Sequence, residues 1–446
     1  MAKMTARQAA TAALMKVNNE GGYSNLVLNE MLKKAQLSLE DNAFAGRLFY
    51  GTLERKLTLD HIIGAYSKKP VKNMTPAVAE ILRTALYQLL YLDSVPDSAA
   101  VNEAVKLTRV MKVSSASGFV NAVLRGFLRD EKRIPAVRGN RIRRMEVQYS
   151  CPQWLIRHLI EAYGEQSALS VLEHSLGRPP LYARVNTQKG TAEQCIEQLS
   201  KEGVRAEPDR DLKNCILLSA TASIERLEAF RQGLFHVQDK SSQLCAEALG
   251  AREGERILDC CSAPGSKSFT TAQKMKDRGE IVSCDIFDEK VKKIAEGAQR
   301  LGLRCISPQK RDATVFDGQL GQFDRVLCDV PCSGIGIISR KPEIKYKKEQ
   351  ELKELPNIQA KILEQAARYV KVGGRLVYST CTLLKQENTE VVEEFLSRHR
   401  EFEPCPLEET VRTAAEVADN TQWQLTLLPE MADTDGFFIA CMKKVR

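Results

Sequence analysis

What this 446-residue chain lacks narrows its class before any motif is found. Its thirteen cysteines include no Cys-x-x-Cys pair and follow no regular spacing. That argues against a structural zinc site and against a disulfide framework, so reduced thiols, no metal and a cytoplasmic setting are expected. Apolar runs long enough to cross a bilayer are also missing, which sets aside a membrane partner. The opening stretch, Met1 to Val17, contains no acid and no apolar block of the secretory kind; an amphipathic first helix accounts for it as well as a transit peptide would. With 43% hydrophobic and 27% charged residues, the composition is that of a soluble protein of two or three domains.

Acidic charge is scarce in the first third. Between Met1 and Met145 there are 23 Lys and Arg against 12 Asp and Glu, although the whole chain has a formal charge of only +8. The remainder is therefore net acidic, and the basic excess belongs to the N-terminal part. Its densest run, "RDEKRIPAVRGNRIRRM" from Arg129 to Met145, suits a phosphate backbone, with a solvated interdomain linker as the plainer alternative.

Periodicity divides the chain into four parts. Residues 1–130 read as an all-helical bundle in which proline is rare. In "TPAVAEILRTALYQLLYL" the residues Val78, Ile81, Leu82, Ala85, Leu86 and Leu89 form one stripe, with Thr75 as cap before Pro76. A further helix is expected to start at Asp97, capped by Asp or Ser. Residues 131–148 read as the basic linker, and residues 149–236 as a small α/β module with strands in "PPLYARVNT", "CILLS" and "LFHVQD". In residues 237–446 the short apolar runs "RILDCC", "EIVSCDI", "FDRVLCDV" and "GRLVYSTC" alternate with helical stretches. This predicts an α/β, doubly wound Rossmann-like parallel sheet, whose ligands gather at the carboxyl ends of the strands.

Those ends carry the chemistry. The first strand closes on Asp259 and the tight turn Ala263, Pro264, Gly265, which lacks the Gly-x-Gly-x-x-Gly of dinucleotide binders. Asp285 ends the second strand, where a carboxylate can accept from ribose hydroxyls, and Asp312 follows the third, where it can receive an adenine amino group. Any one of these acids could be a turn or cap residue. Their serial placement favours S-adenosylmethionine, a nucleoside without phosphates, over a dinucleotide. The fourth strand leads to Asp329 and Cys332 and the fifth to Cys381, and sheet topology sets these ends beside the first, with Lys267 nearby. Most of the other thiols read as small core residues. A thiolate that adds to carbon 6 of a pyrimidine makes carbon 5 nucleophilic, Asp329 in its protonated form could relieve charge near N3, and Lys267 could lower a thiol pKa. Which thiol attacks stays open at this level.

The segments "DCCSAPGSK", "DVPCSGIGIISRKPEIKY", "YSTCTLLKQENTEVVEEFL" and "DTDGFFIACMKK" resemble successive motifs of the RNA cytosine-5 methyltransferases of the Nol1, Nop2 and Sun family. The resemblance runs from about Tyr149 to the C-terminus. "LFYGTLERKLTLDHII", "LRTALYQLLYLDSVPDSAAVNEAVKLTR" and "FVNAVLRGFLR" resemble the RNA-binding helical domain of the antitermination factor NusB. Together the two parts resemble the RsmB (Fmu/Sun) family of bacterial small-subunit (16S) ribosomal RNA methyltransferases. The resemblance implies Cys381 as nucleophile, Cys332 assisting product release, and Asp329 and Lys267 in the active site. It also implies Asp259, Ala263, Pro264, Gly265, Lys267, Asp285, Asp312 and Asp329 around S-adenosylmethionine, an RNA-recognition-like middle module, and a monomer acting on rRNA that is unassembled or partly assembled. Ser266, Tyr346 and Thr389 depart from the usual pattern without removing a reactive group. DNA cytosine-5 methyltransferases use a Pro-Cys thiol, which here would be Cys332. The alternatives are the same chemistry on another RNA, tRNA or large-subunit rRNA, or an RNA-binding factor with an inactive catalytic domain.

Overall fold

A computed structural model describes residues 4–219, 223–414, 422–429 and 433–446. The chain forms two compact units, Met1–Arg178 with Ile338–Lys347, and Pro179–Ile337 with Lys348–Arg446.

The first unit is helical, with long helices that include Ala6–Glu20, Leu39–Glu54, Pro76–Tyr91, Asp97–Val110 and Ser117–Arg129. All six residues of the stripe on Pro76–Tyr91 are buried, as a 3.6-residue period requires of a helix pressed into a core. Thr75 takes the N-cap position by backbone alone, its side chain making no cap bond, and Pro76 supplies the preset first turn. Pro96, not Asp97 or Ser98, holds the cap of the next helix. The Arg-rich stretch expected as a linker carries a helix, Arg141–Tyr149, started by Asn140, whose side-chain oxygen accepts from Arg143 N at 2.9 Å. Sequence pattern also conceals a buried charge cluster. Arg83 donates to both oxygens of Asp60 at 2.6 and 2.8 Å and to Glu80 at 2.5 Å, so its burial is matched by three charge-assisted bonds. The ten-residue segment Ile338–Lys347 belongs to this unit: Lys345 Nζ donates to Glu54 O at 2.8 Å, Tyr346 OH to Leu53 O at 2.7 Å, and Glu343 accepts from Ser24 N at 3.0 Å. Burial pushes the Lys345 ammonium down to about 8.

The second unit contains two sheets. The small one is antiparallel, built from β1 (Leu181–Val185), β2 (Ala206–Pro208), β3 (Cys215–Leu218) and β4 (Phe235–Val237) in the order β2-β3-β1-β4. The large one contains β5 (Arg256–Asp259), β6 (Glu280–Asp285), β7 (Ile306–Lys310), β8 (Phe323–Asp329), β9 (Val370–Thr380), β10 (Phe402–Pro404), β11 (Gln424–Leu427) and β12 (Phe437–Lys444). Its order is β10-β12-β9-β8-β5-β6-β7, with β11 also on β12. The five strands from β9 to β7 are parallel, in the arrangement that sets the ends of β5, β8 and β9 side by side. The sheet is mixed rather than wholly parallel, because β12 runs antiparallel to β9, from Phe438 opposite Thr380 to Lys443 opposite Arg375. Alternation explains why these strands read as unbroken apolar runs. Ile257, Leu327 and Val377 join the core on one face, while Leu258, Val326, Leu376 and Tyr378 join that on the other.

Candidate active site

Two turns leave the sheet at adjacent strand ends, one after β8 and one after β9. They bring Cys332 Sγ and Cys381 Sγ to 3.2 Å, with both thiols half-buried. The turn after β8 is held there by backbone. Gly336 N donates to Cys381 O at 2.9 Å, and Gly436 N donates to Gly336 O at 2.9 Å. A Cβ at Gly336 would lie 1.9 Å from Gly436 O, so only glycine fits this three-way contact. Cys332 is pushed well above the usual thiol range, first by its hydrogen bond with Cys381, then by burial and the charges of Cys381, Glu387 and Asp329.

Near the thiol pair lies an ion pair. Lys267 Nζ donates to Asp329 Oδ2 at 2.7 Å, and Ser379 Oγ donates to Oδ1 of the same carboxylate at 2.8 Å. Lys267 comes from the helix Ser266–Lys274 and is buried, with Ser242 Oγ at 3.3 Å and the Phe437 ring centroid at 5.2 Å. Burial opposes its charge, but Asp329 outweighs that and raises the ammonium above its ordinary range. In this pairing Lys267 Nζ and Ser379 Oγ both donate to Asp329, the acid expected from sequence to act near N3. Asp329 is the strongest partner of the Lys267 charge, and the Cys245 and Cys381 thiols feel it as well.

The other expected residues surround the ends of β5, β6 and β7. Asp259 is buried, its Oδ2 accepting from Ser268 Oγ at 2.7 Å and its Oδ1 lacking a partner among the described residues. Burial pushes this carboxyl up to about 6, Ser268 opposing. The turn Ala263, Pro264, Gly265 follows, with Ser262 N donating to Cys284 O at 2.7 Å and Gly265 N to Ser262 O at 2.7 Å. Asp285 is buried at the end of β6; its Oδ1 accepts from Phe287 N at 3.1 Å and Lys290 Nζ lies 3.5 Å from Oδ2. Asp312 is exposed and holds its own turn, accepting from Thr314 N at 2.9 Å and Thr314 Oγ1 at 2.6 Å, which lowers it below the usual carboxylate range.

A cavity of about 510 Å³ opens beside Asp312, lined by Leu258, Cys260, Cys284, Ala313, Phe316 and Tyr369 among others. It lies at the β7–β8 crossover, which carries the short turn Gly318–Leu320 where a doubly wound sheet usually places a helix. Neither Asp285 nor the thiol pair lines it, so it marks one flank of the site and not its centre. Sequence reasoning missed Ile286 and Phe287, which are 47% and 59% exposed immediately after Asp285. The available signal was two apolar residues following a strand-ending acid. Phe437 and Gly436 were missed as well, because strand pairing and not local pattern brings them to the site.

Comparison with known proteins agrees with this architecture. Residues 246–443 match the 16S rRNA methyltransferase RsmB/F family, residues 4–129 the NusB family, and residues 151–225 the ferredoxin-like domain of RsmF/B-like methyltransferases. Among solved structures, that of PH0851 covers 98% of each chain at 25% identity with a TM-score of 0.84. NSun6 from Pyrococcus horikoshii with SFG, 21% identical, shares the fold at a TM-score of 0.60 over 66% of this chain and 98% of its own. A relative in Yersinia pestis, ribosomal RNA small subunit methyltransferase B, is 32% identical over 97% of both chains. The probable ribosomal RNA small subunit methyltransferase B of Bacillus subtilis is 38% identical over the full length of both chains. At that identity and coverage, the chain belongs to the ribosomal RNA small subunit methyltransferase B family.

Proposed function

We propose that this chain methylates carbon 5 of a cytosine in small-subunit ribosomal RNA, acting as a cytoplasmic monomer on RNA that is free or only partly assembled. The observation that carries the reading is the 3.2 Å approach of Cys332 and Cys381 at neighbouring strand ends, beside the Lys267–Asp329 pair. Cysteines serving only as packing would need neither the rim position nor each other.

S-adenosylmethionine, when bound, supplies an electrophilic methyl group. The residues present fit it: Asp285 would hold the ribose hydroxyls and Asp312 the adenine amino group, with Ile286 and Phe287 covering the base. Asp259 and the turn Ala263 to Gly265 would receive the amino-acid end, where the Asp259 Oδ1, without a partner among the described residues, offers an acceptor.

Carbon 5 of cytosine is too weak a nucleophile to react unaided. The Cys381 thiolate adds to carbon 6, forming a C–S bond and moving the ring π pair so that carbon 5 becomes enamine-like. N3 takes the proton of Asp329 in its protonated form, and Asp329, anchored by Lys267 and Ser379, then accepts the hydrogen bond of that nitrogen. Carbon 5 then acquires the methyl group. While Cys381 is a thiolate, Cys332 keeps its proton and donates to it. Once Cys381 is a thioether it no longer accepts from Cys332, which gives its proton to water and acts as the base. It takes the proton from carbon 5, whose bonding pair re-forms the C5–C6 double bond. The C6–S pair returns to Cys381 and N3 returns its proton to Asp329, leaving 5-methylcytosine.

The test is to incubate the protein with labelled cofactor and unassembled small-subunit rRNA, digest to nucleosides and identify the product by mass spectrometry. The expected product is 5-methylcytidine at one position. Methyl groups on ribose or on a ring nitrogen would remove the covalent route, and transfer to tRNA alone would replace the substrate.

A further inference from the structure

The turns carrying the two thiols are joined by a buried carboxylate that the proposed chemistry does not use. Glu387 lies on the turn after β9 and is 1% exposed. Its Oε2 accepts from Ser333 N at 2.8 Å and from Gln359 Nε2 at 2.7 Å. Gln359, fully buried on the helix Leu355–Arg368, also donates to Pro331 O at 3.0 Å. The residues on both sides of Cys332 are thus pinned, one through its carbonyl and one through its N–H, to a single pair of side chains. Glu387 is fixed in turn by Tyr378 OH, which donates to Glu387 O at 2.6 Å. Ser333 Oγ lies 2.7 Å from Thr382 Oγ1, one residue beyond Cys381, which closes the connection between the turns.

This is an expensive arrangement for packing alone. Glu387 Oε1 and Gln359 Oε1 are both buried without partners among the described residues, and an unpaired buried acceptor is destabilising. An apolar pair of similar volume would fill the space without that penalty.

We propose that Glu387, backed by Gln359, is a positioning residue for the release half-reaction: it fixes the Cys332 backbone so that its thiol stays within reach of a base joined to Cys381. The proposal rests on the assignment of the two cysteines given above. Release needs Cys332 Sγ to meet the carbon 5 proton while the ring is bonded to Cys381, so a loose Cys332 turn would impair release and leave attack unaffected. The bracing contributes to the proximity of the two sulfurs: besides the Glu387–Ser333 bond and the thiol contact itself, the described residues join the two turns through Gly336 N to Cys381 O and the Ser333–Thr382 hydroxyl pair.

The experiment uses the full chain, labelled S-adenosylmethionine and substrate RNA. It reads the fraction of protein in a denaturation-resistant RNA adduct and the single-turnover rate of product release. Glu387→Ala should accumulate adduct and slow release roughly tenfold or more, the weight of one charge-assisted hydrogen bond, with cofactor affinity unchanged. Glu387→Gln keeps an oxygen acceptor for Ser333 N and Gln359 and should restore most of the release rate, a rescue that a mere volume defect would not give. If Glu387→Ala does not fold, Gln359→Met, which conserves volume, should show the same accumulation. Release at the wild-type rate in whichever variant folds, or adduct formation and cofactor binding falling together, overturns the proposal. Cys332→Ala serves as the control: if it traps no adduct while the wild type methylates, the assignment of the cysteines has failed and not the brace.

Discussion

Single side chains at the strand ends make the sharpest claims because each has one stated partner. Asp285 is buried at the end of β6 with its carboxylate turned to the local backbone, and it would meet the ribose hydroxyls. Asp285→Ala should weaken cofactor binding by roughly 1.5 to 3 kcal/mol, the range of hydrogen bonds to a charged group, with RNA affinity retained. Calorimetry reads it directly, and an unchanged dissociation constant would take Asp285 out of the site. Asp259 gives a prediction in pH. Burial raises it from 3.8 to about 6, so the folded state holds its proton more tightly than the unfolded chain. Its contribution to stability is therefore full below about pH 4 and is lost as pH rises through about 6. Asp259→Asn removes that titration. The stability of the cofactor-free wild type relative to the variant should fall by roughly 3 kcal/mol between pH 4 and 7, measured by denaturant unfolding. Parallel curves would mean that the carboxyl is not desolvated.

At the scale of elements, function depends on how turns are held to one another. Gly336 sits between Cys381 O and Gly436, with no room for a Cβ. Gly336→Ala should cost roughly 1–3 kcal/mol of stability through overpacking and slow methylation further than that loss explains, because the Cys332 turn moves with it. Chemical denaturation and turnover measured on the same preparation would separate the two effects; wild-type turnover would show that the contact is incidental. These turns also show where sequence stops being informative. Strands β5, β6, β8 and β9 were legible because a strand covered on both faces is an apolar run ended by an acid, and Asp259, Asp285 and Asp329 end three of them. The partnership of β12 with β9, which brings Phe437 and Gly436 to the site, has no local signature. Nor does the burial of Glu387, Gln359 and Lys345, since charged and amide residues are ordinarily exposed and only the fold supplies their partners.

For the molecule as a whole, charge and chemistry divide along the chain. The N-terminal part carries the basic surplus, including the exposed Lys68, Lys69 and Lys72. If these contact phosphates, replacing all three by Glu in the full chain should weaken binding to target and non-target RNA alike and flatten its salt dependence, since each lost contact removes its counterion release. A change in which cytosine is methylated, with overall affinity kept, would instead make this region a reader of sequence. The central claim concerns the two thiols at the rim of the sheet, and it is tested most directly by following RNA through denaturing gels with two single variants. Cys332→Ala should trap a covalent protein–RNA species, because attack by Cys381 proceeds and release does not, whereas Cys381→Ala should form none and transfer no methyl group. A trapped species with Cys381→Ala and none with Cys332→Ala would reverse the roles, and methylation by either variant at the wild-type rate would contradict the account.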